Sequence, residues 1–221
     1  MPYTSAEAVS RVLDRGLVAI LRAPSGELLS DVVEALATGG IDVAEITFTV
    51  PRALEVLQKV ADQCGDRVLL GAGTVLDSET ARAALLAGAQ YLVTPTLNLD
   101  VIRLCRRYGK AVFPGALTPT EILTAWEAGA DLVKIFPSEI TGPAYLAALA
   151  GPLPHVRLMP TGGVNLETGP VYLRAGAAAL GVGGALVSAD ALARRDLAGI
   201  EAQARRFVEM VAQARRELAS R

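Results

Sequence analysis

The sequence predicts an α/β fold, a single-domain (β/α)8 TIM barrel that spans residues 1–221. Three observations favour this fold. Short apolar runs alternate with longer segments of helical periodicity, eight such runs occur, and a chain of 221 residues lies near the lower end of the usual barrel size. An open, doubly wound sheet would produce the same alternation, but the number of strands favours the closed barrel.

The predicted strands are apolar runs that are too short for helices, and most are apolar on both faces, as buried parallel strands usually are. In chain order they cover residues 18–21, 43–48, 68–74, 91–95, 111–115, 132–137, 156–161 and 178–183. Because helical segments separate them, we expect every strand to be parallel to its neighbours.

Capping residues mark where the intervening helices begin and end. The candidate N-caps are Ser25, Ser78, Asn98 and Thr118, with Pro119 suited to a first turn. The glycines expected to end helices in a left-handed conformation are Gly39, Gly88, Gly109 and Gly129. An N-terminal helix is predicted at about residues 4–15 and an amphipathic C-terminal helix at about 189–221, which we expect to cover the barrel or a neighbouring subunit.

Composition and charge exclude several classes of protein. The chain has 21 Lys and Arg against 23 Asp and Glu, a net charge of −2, which is unlike the positive surface that nucleic-acid binding needs. No stretch of about 18 apolar residues is free of charges and turn residues, and the first 16 residues do not resemble a signal peptide. The sequence therefore predicts a cytoplasmic protein with no nucleic-acid or membrane partner.

The cysteines and the histidine do not form a metal-binding pattern. Cys64 and Cys105 have no Cys or His nearby at the spacing of metal ligands, and His155 is the only histidine. The sequence therefore predicts no metal site.

Lys134 is unusual because it interrupts an apolar strand, LVKIF. The chain has only three lysines, and the other two, Lys59 and Lys110, lie in polar contexts at helix ends. Burial disfavours the charged ammonium, so a lysine inside a barrel should have a lowered pKa and could attack a carbonyl carbon. The alternative is a structural lysine that pairs with a buried carboxylate.

Glu45 interrupts the strand VAEITF in the same way. Side chains alternate along a strand, so Glu45 shares a face with Val43, and Lys134 shares one with Leu132. If both faces point into the barrel, a neutral amine lies near a carboxylate that can transfer protons. Imine chemistry on a keto compound needs these two groups. A plain buried ion pair is the alternative.

Two glycine-rich segments follow the last two strands: PTGGVN at residues 160–165 and GVGGAL at 181–186. In barrels, the loops after strands seven and eight commonly bind phosphate through backbone N–H groups, so these segments indicate a phosphorylated ligand. Either segment alone could simply end a strand. Thr74, in GAGTV, ends the third strand and either contacts the ligand or forms a turn.

Seven motifs taken in order, EITFT, GAGTV, TPTLN, FPGALTPTE, DLVKIFP, PTGGV and GVGGAL, resemble the class I aldolases of the 2-keto-3-deoxy-6-phosphogluconate (KDPG) family, also described as 4-hydroxy-2-oxoglutarate (KHG) aldolases. The resemblance runs from about residue 18 to 188. It implies a (β/α)8 barrel, usually a homotrimer, which cleaves a 2-keto-4-hydroxy acid to pyruvate and an aldehyde without a metal or an organic cofactor.

The resemblance also implies roles for individual residues. Lys134 would form the Schiff base, and Glu45 would be the general acid/base. The implied substrate-binding residues are Thr74 at the pyruvyl carboxylate, Pro95 beside Glu45 or its water, Phe136 as a wall beside the imine, and Thr161 at the pyruvate end. The implied phosphate-binding residues are Gly162, Gly163, Gly183 and Gly184.

The chain departs from the family pattern at two positions. Many members have arginine where this chain has Thr49, and Arg22, at the end of the first strand, is a candidate substitute in the substrate-binding set. Many members also have serine where Gly184 stands. The predicted substrate is KDPG, with 4-hydroxy-2-oxoglutarate or the phosphogalactonate epimer as alternatives. A phosphosugar-binding barrel or isomerase without a covalent intermediate is the alternative of another class.

Overall fold

In the computed structural model, which describes residues 3–220, short strands alternate with helices along the chain. The strands are β1 Leu17–Leu21, β2 Val43–Thr47, β3 Leu69–Gly73, β4 Tyr91–Val93, β5 Ala111–Phe113, β6 Gly115–Ala116, β7 Val133–Ile135, β8 Leu158–Pro160 and β9 Leu180–Val182. A strand lies at each of the eight predicted positions. The fifth is divided into β5 and β6 because Pro114 lies between them and has no N–H group to donate.

The strands close into a barrel in which all pairs are parallel. Six strands pair in the order β5-β4-β3-β2-β1-β9, and three pair in the order β6-β7-β8. A bridge between Thr161 and Gly181 joins the ends of β8 and β9, while β5 and β6 are contiguous in the chain. The predicted (β/α)8 barrel is confirmed, and the open doubly wound sheet is excluded.

The helices cover the outside of the barrel, apart from the first. They are α1 Ser5–Arg15, α2 Leu29–Thr38, α3 Ala53–Cys64, α4 Ser78–Leu86, α5 Leu99–Arg107, α6 Pro119–Glu127, α7 Ser138–Ala150, α8 Thr168–Arg174, α9 Ala189–Ala193 and α10 Leu197–Ala219. None of the helices in the described residues is long and apolar enough to cross a lipid bilayer.

Two of the predicted N-caps are confirmed, and two are wrong. Asn98 accepts backbone hydrogen bonds at the start of α5, and Thr118 forms a capping box at the start of α6. At α4 the cap is Asp77, one position before Ser78. Its carboxylate accepts a hydrogen bond from the Thr80 amide at 2.6 Å, and Ser78 is the first residue of the helix. Ser25 lies too far before α2 and instead accepts a hydrogen bond from the Glu27 amide.

Three of the predicted left-handed glycines are confirmed: Gly88, Gly109 and Gly129 have positive φ angles. At the end of α2, however, Gly39 keeps φ at −75° and the left-handed residue is Gly40, with φ at +96°. Adjacent glycines have the same backbone freedom, so the sequence does not indicate which one turns the chain.

The C-terminal segment, predicted as one helix over about 189–221, contains two helices, α9 and α10. The chain turns at Arg195, with φ at +52°, and Asp196 then caps α10 by accepting from the Gly199 amide at 2.8 Å. Helix α10 packs against α2 and α8 and buries Phe207 and Val211, so it covers the barrel as expected. Residue 221 lies outside the described residues.

Helix α1 closes the N-terminal end of the barrel. Its apolar residues Ala8, Val9 and Val12 pack with the first inward residues of the strands, which are Val18, Val43, Leu69, Ala111, Leu132 and Ala179. We call this cluster the lower lumen. Asp42, just before β2, anchors the helix through ion pairs to Arg11 at 2.9 Å and Arg15 at 2.7 Å.

Candidate active site

Glu45 and Lys134 both point into the barrel, as alternation along their strands predicts. Val43 and Leu132, two positions earlier on the same strands, belong to the lower lumen. Glu45 has no exposed surface, and Lys134 is 3% exposed. We call the space around Glu45, Lys134, Phe136 and Thr161 the upper lumen; it lies toward the carboxyl ends of the strands.

The two charged groups perturb each other's ionisation. Burial raises the pKa of the Glu45 carboxyl, and the nearby cations Lys134 and Arg22 oppose that rise. Burial lowers the pKa of the Lys134 amine, while Glu45 opposes this change and Arg22 reinforces it. Neither Glu45 oxygen has a hydrogen-bond partner among residues 3–220. The site therefore favours an uncharged amine next to a carboxyl group of raised proton affinity.

Glycine makes room for the carboxylate. A Cβ atom at Gly73, at the end of β3, would overlap Oε1 of Glu45, so any other residue there would displace the carboxylate. On the opposite side of the lumen, Lys134 Nζ lies 4.9 Å from the centroid of the Phe136 ring. The sequence argument did not identify Gly73, although its place on the inward face of GAG is a signal that strand alternation provides.

A cavity of about 510 Å³ opens above Lys134 at the carboxyl ends of β7, β8, β9 and β1. Eight of the predicted site residues line it: Arg22, Lys134, Phe136, Thr161, Gly162, Gly163, Gly183 and Gly184. Residues that the sequence argument did not select also line it, among them Ile20, Pro24 and Asn165. Glu45 lies deeper than the cavity wall.

Besides Glu45, three predicted residues lie outside this lining. Thr49 is exposed, and its hydroxyl is 2.7 Å from that of Thr47. Thr74 follows β3 with a left-handed backbone, φ +60°, which is uncommon for threonine. Pro95 follows β4. All three lie at the carboxyl ends of strands, so they share the face of the barrel on which the cavity opens, and their roles stay predictions.

The loop after β8 presents free amides to the cavity. Gly162 and Gly163 have φ angles of +95° and +69°, a conformation that glycine adopts without strain. The carbonyl of Gly162 accepts from Ser138 Oγ at 2.7 Å, and that of Gly163 accepts from Thr168 Oγ1 at 2.9 Å. The amides of both glycines donate to no acceptor in the described residues. Such successive free N–H groups suit an anion.

Arg22 supplies a cation at the mouth of this cavity. It follows β1, is exposed, and forms no ion pair within residues 3–220. Its positive charge acts to lower the pKa of both Glu45 and Lys134. The cavity thus joins a buried amine, a buried carboxyl group, a guanidinium and free backbone amides, and this set suits an anionic keto compound.

The chain matches the family model described as KDPG and KHG aldolase over residues 9–203. The 2-dehydro-3-deoxy-phosphogluconate aldolase of Treponema pallidum (strain Nichols) is 38% identical over 207 residues, which cover 93% of this chain and 96% of that protein. The 2-dehydro-3-deoxy-6-phosphogalactonate aldolase of Escherichia coli (strain K12) is 40% identical over 174 residues, 78% of this chain and 85% of that one.

A solved structure is also similar: KDPG aldolase from Legionella pneumophila with pyruvate captured at low pH as a covalent carbinolamine intermediate. Its TM-score is 0.84 at 25% sequence identity, and the match covers 90% of this chain and 96% of that one.

Proposed function

The chain belongs to the KDPG and KHG aldolase family, and from that premise we propose that it cleaves 2-keto-3-deoxy-6-phosphogluconate to pyruvate and D-glyceraldehyde 3-phosphate through a Schiff base on Lys134. The observation that carries the proposal is the buried Lys134 amine, with its lowered pKa, beside the buried Glu45 carboxyl. Class I aldolase chemistry needs this combination of an uncharged nucleophile and a group that moves protons.

In the proposed first step, the neutral Lys134 amine attacks the C2 ketone of the substrate. The carbinolamine that forms then loses water to give an iminium ion, whose positive nitrogen withdraws electrons from C3. The solved Legionella relative, in which pyruvate is held as a covalent carbinolamine, supports this step. The Phe136 ring beside Nζ would limit the access of water to the iminium carbon.

Glu45 would then act as the base. Its carboxylate, directly or through a water molecule, removes the proton from the C4 hydroxyl. The electrons of the C3–C4 bond move into the iminium, the aldehyde leaves, and an enamine remains. Protonation of C3 regenerates an iminium of pyruvate, and hydrolysis releases pyruvate and the free amine.

The remaining predicted residues would hold the two ends of the substrate. We assign the phosphate to the amides of Gly162, Gly163, Gly183 and Gly184, and the pyruvyl end to Thr74, Thr161 and Phe136. Pro95 would orient Glu45 or its water. Arg22, which lines the cavity while Thr49 does not, would supply the cationic contact that many members of the family obtain from an arginine at position 49.

The main alternative changes the substrate and keeps the chemistry. The 40% identity to a phosphogalactonate aldolase is the reason to test the C4 epimer beside KDPG, together with 4-hydroxy-2-oxoglutarate. Comparison of kcat/KM for the three substrates decides among them. We expect KDPG to have the highest value.

Borohydride reduction tests the covalent step. We expect treatment of the protein with pyruvate and sodium borohydride to add one pyruvyl group permanently, and peptide mass mapping to place it on Lys134. Lys59, which is exposed on α3, and Lys110 are internal controls in the same sample. An absent adduct, or one spread over all three lysines, would contradict the proposal and favour a barrel that binds phosphosugars without an imine.

We also infer a homotrimer, which the family resemblance supports. Exposed apolar side chains such as Leu54, Leu86 and Ile140, which are 39%, 67% and 74% exposed in a single chain, are available for such contacts. Light scattering after size exclusion should give three times the chain mass of 23.0 kDa, and a monomer mass would contradict the inference.

A further inference from the structure

The Tyr91 hydroxyl lies inside the barrel, where the reaction just described has no use for it. Tyr91 has no exposed surface, and its hydroxyl has no hydrogen-bond partner among the described residues. Val93, Leu69 and Phe113 belong to the same buried cluster, so most of its surroundings are apolar. A phenol oxygen in such a place is unfavourable unless it finds a partner. Glu45 is also buried, and its two oxygens lack a partner in the same way.

Strand register brings the two residues together. Glu45 on β2 pairs with Gly71 on β3, and Gly71 pairs with Tyr91 on β4, so the three residues form one row across the sheet. The residue between them has no side chain. A Cβ atom at Gly71 would overlap Cζ of Tyr91, so the hydroxyl end of the ring lies over Gly71, on the side that faces β2.

The carboxylate occupies the neighbouring position on the same strand. A Cβ atom at Gly73 would overlap Oε1 of Glu45, and Gly73 is the next inward residue of β3 after Gly71, about 6.6 Å further along the strand. The phenol and the carboxylate therefore lie over adjacent inward positions of β3. They do not bond directly, since neither has a partner in the described residues, and the spacing of adjacent positions suits one bridging water molecule.

Packing and charge fix which group donates. The Tyr91 ring packs against Phe113 with 5.1 Å between ring centroids, which restricts its orientation. Burial raises the pKa of Tyr91 well above its ordinary value, and the charge of Glu45 adds to the rise, so the hydroxyl keeps its proton. The other ionisable groups that act on Glu45 are the cations Lys134 and Arg22. Tyr91 is the neutral donor in this set.

We propose that Tyr91 is a positioning residue that donates a hydrogen bond, through one water molecule, to the ionised Glu45 carboxylate. The bond stabilises the charged form and holds the carboxylate over Gly73, and so it extends to lower pH the range in which Glu45 can accept a proton. This inference rests on the proposed role of Glu45.

The test is the pH dependence of kcat for Tyr91→Phe, which removes one oxygen and keeps the ring. Without the donor, the charged carboxylate is less stable and its pKa rises. We therefore expect the acidic limb of the profile to move to higher pH by about 0.5 to 1 unit. At pH values on that limb, kcat should be about 3- to 10-fold lower than in the wild type. Tyr172→Phe is the matched control, because the Tyr172 hydroxyl is also buried but donates to the Ser138 carbonyl at 2.8 Å; its limb should not move.

A double variant separates action through Glu45 from a structural effect. In the Glu45→Gln background, Tyr91→Phe should no longer change the rate or its pH dependence, because the group on which it acts is gone. A second measurement keeps the hydroxyl and changes its acidity. Replacement of tyrosine by 3-fluorotyrosine, a more acidic phenol, should move the acidic limb of the wild-type enzyme to lower pH, and Tyr91→Phe labelled in the same way is the control whose limb should not move.

An unmoved limb in Tyr91→Phe, or an equal effect of this substitution in both backgrounds, would overturn the inference. If the wild-type protein gives no pyruvyl adduct, the proposed function itself fails and the role of Tyr91 fails with it. If the adduct forms in both the wild type and Tyr91→Phe while the pH profiles coincide, only the role of Tyr91 is refuted.

Discussion

The lower and the upper lumen are formed by the same strands but differ in their buried polar groups and in whether these groups have hydrogen-bond partners. Apart from the Tyr91 hydroxyl, the lower lumen contains only apolar side chains, which pack on one another and on α1. The upper lumen, two residues further along the strands, contains Glu45, Lys134 and Thr161. Both Glu45 oxygens and Thr161 Oγ1 have no partner in the described part of the chain.

This difference indicates how the barrel divides its tasks. Burial of apolar area in the lower lumen stabilises the fold, whereas burial of unpartnered polar groups in the upper lumen costs stability. Such a cost is expected where the groups must be free to meet a substrate. Substitutions in the upper lumen should therefore remove activity and spare the fold, and substitutions in the lower lumen should do the reverse.

The largest effect is expected for Lys134→Ala. Without the amine no iminium forms, so turnover and the borohydride-dependent adduct should both be abolished, while the melting temperature stays within about 5 °C of the wild type because a desolvated amine is removed. Steady-state assays and calorimetry measure these quantities. Lys59→Ala, which removes an exposed lysine from α3, is the control and should be fully active. A Lys134→Ala variant with substantial turnover would refute the assignment.

Glu45→Gln should reduce kcat by about 10²- to 10⁴-fold, because glutamine cannot accept the C4 hydroxyl proton. The carboxylate must be ionised to act as a base, and burial raises its pKa above 4.5. Wild-type activity should therefore fall as the pH drops through that raised value, and this limb should be missing in Glu45→Gln. The variant should still form the pyruvyl adduct on Lys134, since the first attack does not need the base. An unchanged kcat would give Glu45 a purely structural role.

The upper lumen was also the region that sequence reasoning identified best, because charge inside an apolar strand is conspicuous. Lys134 and Glu45 stand out in LVKIF and VAEITF, and alternation correctly predicted their inward direction. The sequence predicts the glycine loops as a phosphate site for a similar reason, since two clusters follow the last two strands of a barrel, and this role stays a prediction.

The residues that sequence reasoning missed are those whose role depends on a neighbouring strand. Tyr91 looks like an ordinary strand residue until the register places it beside Gly71 and Glu45. Glycine is required at position 73 only because the Glu45 carboxylate, from β2, occupies the space that a side chain would fill. The errors at Ser78 and Gly39 have a local cause, because an equivalent residue stands next to each and propensity does not separate the two.

In the lower lumen, Val12→Ala should affect stability alone. Val12, on α1, is fully buried, so the loss of two methyl groups should lower the free energy of unfolding by about 1 to 3 kcal/mol. Denaturant titration measures this loss. Below the unfolding transition kcat and KM should match the wild type, because α1 lies at the opposite end of the barrel from the cavity. A lowered kcat in folded protein would show that the two halves are coupled.

The smallest effect is expected for Gly184→Ser, which should improve the enzyme. A Cβ atom at Gly184 meets no atom within 4 Å, and the residue lines the cavity, so a serine hydroxyl fits there and adds a donor for phosphate. We expect KM for KDPG to fall about 3- to 10-fold, as for one additional hydrogen bond to a charged group, with little change in kcat.

The substrate 4-hydroxy-2-oxoglutarate, which has no phosphate, separates this effect from a general one: its KM should not respond to Gly184→Ser. Gly163→Ser is the contrasting variant, because its φ of +69° and a Cβ only 2.7 Å from that of Glu139 make any side chain strained there. It should weaken binding of the phosphorylated substrate. Equal changes in KM for both substrates in Gly184→Ser would mean that the loop after β9 shapes the pyruvate end of the cavity instead of holding phosphate.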